Sequence, residues 1–132
     1  MNASLEAIVR LFVRKEKQER ILFLASKPRR RSELLSDLLH DTRSLDLAVA
    51  SRITATAADV AAVAQRLGGA GERAYCASDI VDVDDRELTV GEALRLVIGR
   101  ERDSIVFCPR TRVAFYENHE GEQLVLMRPE RF

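Results

Sequence analysis

Apolar residues recur at helical spacing as far as Leu67 and take on strand character from Arg73, with glycines at 68, 69 and 71 between the two regimes. A helix buries residues three and four apart, whereas a strand alternates, so a change of period along one chain dictates a change of element. Helical segments followed by a run of strands predict α+β architecture.

Leu5, Ile8, Val9 and Phe12 mark the first helix, with Ser4 as its expected N-cap. Helical character extends over 4–25, interrupted by the charged stretch 14–20, which fits one long helix or two shorter ones. Ser26, Lys27 and Pro28 break the pattern. Proline is tolerated only in a first turn, so a second helix is expected over 29–40, with Ser26 as cap and Leu34, Leu35, Leu38 and Leu39 inward. His40 falls in its last turn. Residues 42–55 suit strand and helix alike and are read as helical or irregular. Thr56 and Asp59 form a capping-box pattern opening a helix over 56–67, and Gly68 and Gly69 close it.

In the second half, 73–77 reads as a strand and 79–87 as an acidic turn. Thr89 and Glu92 make a second capping box, followed by the apolar stripe Val90, Ala93, Leu94, Val97 and Ile98, and Gly99 ends that helix. The stretches 104–108, 113–117 and 123–127 read as strands separated by turns at Pro109–Arg110 and 118–121. The expected fold is therefore a helical N-terminal half, about 1–70, packed on one face of a small antiparallel sheet of about four strands formed mainly by the C-terminal half, about 71–132. Neither half carries enough apolar surface for a core of its own, so residues 1–132 are read as a single domain. A composition of 46% hydrophobic and 32% charged residues argues against disorder.

The first residues lack the basic, apolar and small-residue succession of a secretory leader, and no apolar run approaches the ~20 residues of a membrane span. A cytoplasmic protein without membrane contact is expected. Cys76 and Cys108 lie in apolar stretches and are read as buried free thiols.

Charge is balanced overall but not locally. Residues 1–31 hold nine lysines and arginines against three glutamates, and the remainder offsets that surplus. The sharpest basic feature is Lys27, Arg29, Arg30 and Arg31. Arginine forks suit phosphate oxygens, so this segment is the candidate nucleic-acid contact. No aromatic residue interleaves with it and no DNA-binding motif accompanies it, so a solvated helix start pairing with the acidic second half is the competing reading. The acidic group Asp79, Asp82, Asp84, Asp85 and Glu87 fails the calcium-loop pattern: the required glycine is missing and Arg86 takes a ligand-spaced position. It is read as an exposed turn and a candidate partner of those arginines.

No catalytic set is visible. His40 and His119 lie in different halves without metal-ligand spacing to the cysteines. Glu117 and His119 share a face of an extended strand, and with Asp103 a three-ligand group can be drawn. Cys108 has no histidine close in sequence. There is no nucleophile elbow, and the glycines at 68, 69 and 71 end a helix instead of opening one. No metal or cofactor is expected. Leu11 and Val13 flank the stripe of the first helix, an apolar surplus pointing to a protein partner or a second copy. The expected function is thus a non-enzymatic protein-binding or regulatory module. The alternatives are nucleic-acid binding through Lys27, Arg29, Arg30 and Arg31, and an enzyme whose site gathers Glu117, His119, Cys108 and the acidic turn.

Overall fold

The computed structural model describes residues 2–129. Its helices are α1 (Ala3–Phe12), α2 (Lys15–Ala25), α3 (Arg31–Leu39), α4 (Val60–Arg66) and α5 (Val90–Val97). Its strands are β1 (Ala50–Arg52), β2 (Arg73–Ser78), β3 (Arg86–Thr89), β4 (Ser104–Cys108), β5 (Val113–Glu117) and β6 (Gln123–Met127). All six strands join one antiparallel sheet in the order β1-β6-β5-β4-β2-β3. The α+β expectation holds, with six strands in place of four.

The two extra strands lie at the sheet edges. β1 comes from the ambiguous stretch before residue 55 and pairs Ala50 with Leu126. β3 comes from the end of the acidic stretch and pairs Leu88 with Ala74. Both are short and largely polar, which suits an edge.

Helices cover both faces of the sheet, not one. Tyr75, Ala77, Ile105, Phe107, Ala114, Tyr116, Leu124 and Leu126 point to the face packed by α1, α2 and α3. Ala74, Cys76, Val106, Cys108, Phe115 and Val125 point the other way, onto α4 and α5. The helical N-terminal half is thus divided across the sheet. The cause lies in the strands: every residue of β4 and β5 is buried, so neither face can be left to water.

Local details follow from capping chemistry. Asn2, not Ser4, caps α1, its side chain accepting from the Ser4 and Leu5 amides. The two helices part at Val13 and Arg14, whose backbone is not helical, and the charged stretch from Lys15 onward forms the first half of α2. Ser26 closes α2, donating its hydroxyl to the Phe23 carbonyl, and does not cap the next helix. Pro28–Arg30 is a 3-10 turn before α3. The capping boxes of Thr56 with Asp59 and Thr89 with Glu92 both form. Gly68 and Gly69 take φ of +111° and +123°, where an L side chain is strained. Cys76 and Cys108 are buried free thiols, as expected. Leu11 and Val13 are buried too, so the apolar surplus of α1 is covered by the chain itself. Among the described residues no helix is long and apolar enough to cross a membrane.

Candidate functional site

Asp103 immediately precedes β4, and its carboxylate faces the α3 side of the sheet. Its Oδ1 accepts from the His119 amide at 2.9 Å and lies 3.0 Å from His119 Nδ1. Its Oδ2 lies 3.5 Å from His40 Nδ1. The two imidazoles stack nearly parallel, with centroids 4.4 Å apart and an angle of 18°. One potential ligand atom from each of the three residues falls within 4.8 Å of the others. Asp103 is nearly buried, while both histidines keep an edge in solvent.

Two buried polar side chains hold the histidines in place. Asn118, fully buried, shapes the β5–β6 turn by accepting from the Glu120 and Glu122 amides. His119 sits in that turn. The Asn118 amide donates to Tyr116 Oη at 3.2 Å, and the Tyr116 hydroxyl donates to the Leu39 carbonyl at 2.7 Å. Leu39 ends α3 and His40 follows it, its own amide bonded to the Ser36 carbonyl. A single chain of hydrogen bonds thus locates both histidine-bearing segments. Burial raises the Tyr116 phenol above its ordinary range and keeps it a donor.

The hydrogen bond that His119 donates to Asp103 raises its pKa above the ordinary histidine value, against the opposing effect of desolvation and with the help of the charges of Asp103, Glu120 and Asp79. A cavity of about 460 Å³ opens beside the group, with Ser36, His40, Asp103, Ser78 and Asp79 in its wall and Arg31 at its far end.

The other residues expected at a site lie elsewhere. Glu117 is fully buried on the opposite face of the sheet, where it accepts from the Gly99 and Glu101 amides and from Gln123 Nε2 at 2.9, 2.7 and 2.7 Å. Cys108 is buried at the far end of β4, roughly 16 Å along the strand from Asp103. The acidic turn divides among separate partners: Asp84 to Arg31, Asp85 to Tyr75, Asp79 to Arg102 and Glu87 to Arg73. The group drawn from Glu117, His119 and Asp103 therefore loses Glu117 and gains His40.

The basic segment is not uniform. Arg31 binds Asp84 through two hydrogen bonds, of 2.9 and 2.6 Å, and also reaches Tyr75 Oη. Lys27, Arg29 and Arg30 are exposed.

Comparison with protein-family models, with curated proteins and with solved structures finds no match to this chain.

Proposed function

We propose that the chain is a metal-binding protein whose ion is held between α3 and the sheet by His40, Asp103 and His119. The observation that carries this reading is convergence. The chain's two histidines, 79 positions apart, meet on one nearly buried carboxylate. Two imidazoles and a carboxylate suit a divalent transition ion of the zinc class, and the absence of thiolate from the set disfavours copper(I) and iron–sulfur chemistry.

A tetrahedral ion at ~2.0–2.1 Å from each ligand wants ligand atoms roughly 3.4 Å apart. His119 lies 3.0 Å from one carboxylate oxygen and His40 3.5 Å from the other, and one ligand atom from each of the three residues falls within 4.8 Å of the others, so the group must draw together by about an ångström to hold an ion. The backbone amide of His119 on Asp103 supplies the outer support that orients a ligating carboxylate. Three protein ligands leave a position open, and the adjoining cavity offers room for water or an exogenous ligand there. An ion so placed polarises a bound carbonyl or acidifies a bound water.

Isothermal titration with zinc tests the reading. The wild-type chain binds one ion, and His40→Ala, Asp103→Ala and His119→Ala each weaken binding at least about tenfold. Circular dichroism verifies that the variants fold. Equal affinity in the wild type and in the three variants would overturn it.

A further inference from the structure

A second observation, unrelated to the histidine cluster, lies at the end of α2. Phe12, Phe107, Phe115, Tyr75 and Tyr116 are buried, whereas Phe23 is 50% exposed. Among the described residues it is the one phenylalanine or tyrosine ring standing in solvent, whereas the half-exposed imidazoles of His40 and His119 are stacked on each other. Lys27 Nζ lies 5.5 Å from its centroid and Arg30 Cζ 5.9 Å. Arg29 is exposed in the intervening 3-10 turn.

The ion pairs around this ring are few. Arg31 is committed to Asp84 and Asp85, whereas Arg30 reaches only Glu33, at 3.8 Å. Those are the ion pairs of residues 27–31 among the described residues. An exposed ring is therefore set among three cations with little carboxylate to neutralise them.

We propose that Phe23, Lys27, Arg29 and Arg30 form a contact surface for single-stranded nucleic acid, with a base stacking on Phe23 and phosphates meeting the cations. The combination identifies the ligand class. An unpaired base offers a π-face to an aromatic ring, and the adjoining phosphates require positive charge. A duplex keeps its bases stacked and cannot use the ring. A membrane surface needs more apolar area than one ring: the other large exposed apolar side chains, Leu47, Val81, Leu96 and Met127, belong to other elements. An acidic peptide would engage the cations without drawing on Phe23.

Fluorescence anisotropy tests this with a labelled oligothymidylate of about fifteen nucleotides, a duplex of the same length and anionic phospholipid vesicles. A chelator in the buffer keeps the result independent of the histidine cluster. The single strand saturates the protein and binds more tightly than the duplex. Its log affinity falls with log salt at a slope of roughly −2, as three cations require. Phe23→Ala weakens binding at least about fivefold and leaves the slope unchanged. Replacing Lys27, Arg29 and Arg30 together by alanine weakens binding and flattens the slope. These side chains are exposed, so the variants fold, as circular dichroism verifies. Absence of oligonucleotide binding at about 50 mM salt, wild-type affinity in Phe23→Ala, or binding to vesicles in place of the oligonucleotide would each overturn the proposal.

Discussion

Asp103 joins segments that are far apart in sequence. Its two oxygens are divided between His119 and His40, and its backbone carbonyl accepts from the Asp79 amide. Asn118 and Tyr116 act one step behind it. At the same scale the cysteines behave as apolar filling. Burial pushes the Cys76 thiol up to about 12, so almost no thiolate forms near neutral pH. A thiol reagent at pH 8 is expected to label neither Cys76 nor Cys108 in the folded chain, and both in denaturant. Rapid labelling of the native protein would contradict the burial seen for both. The thiols were legible in the sequence because their neighbours are apolar. The histidine cluster was not: a separation of 79 positions has no local pattern, and only the return of α3 across the sheet brings His40 to His119. One partial signal existed. Asp103 and His119 flank the hairpin of β4 and β5, and an antiparallel register with Ser104 opposite Glu117 brings their backbones together. Glu117 misled because β5 ends there: the alternation that would put it on one face with His119 stops at the turn, and its side chain points to the opposite face.

Strands and helices were legible where their apolar pattern or caps were strong. Both capping boxes, the glycine stop at 68–69 and the three C-terminal strands are read directly from residue type. β1 and β3 escaped because they are short polar edges whose pairing, not composition, makes them strands. The two-sided sheet also had a visible sign. Residues 104–108 and 113–117 contain no solvent-facing alternation, the pattern of strands covered on both faces. Glu117 has its role at this scale. It satisfies the amides of Gly99 and Glu101, both at positive φ, and so fixes the loop that leaves α5 for β4. Glu117→Ala leaves those amides and Gln123 without their acceptor, and is expected to cost about 3 kcal/mol in denaturant unfolding. Exchange of the Gly99 and Glu101 amides should quicken at the same time. A cost below about 0.5 kcal/mol, the range of ordinary surface substitutions, would show that the loop holds itself.

Across the whole molecule, among the described residues, the basic N-terminal stretch meets the acidic second half at Arg31, which pairs with Asp84 and more distantly with Asp85, as their charges anticipated. That pair fastens the start of α3. The Tyr116 hydroxyl on the Leu39 carbonyl and the histidines on Asp103 fasten its end, roughly 14 Å away along the helix. The cavity lies between these two attachments, with Arg31 and Asp84 at one end and His40 and Asp103 at the other. An ion at the histidine end would therefore tie the helical layer to the sheet as well as face the cavity. The most direct test is anomalous diffraction across the zinc absorption edge from crystals of the full chain grown with zinc. A zinc peak is expected within about 2.0–2.2 Å of a nitrogen of His40, a nitrogen of His119 and a carboxylate oxygen of Asp103. A map with no zinc at these three side chains would contradict it.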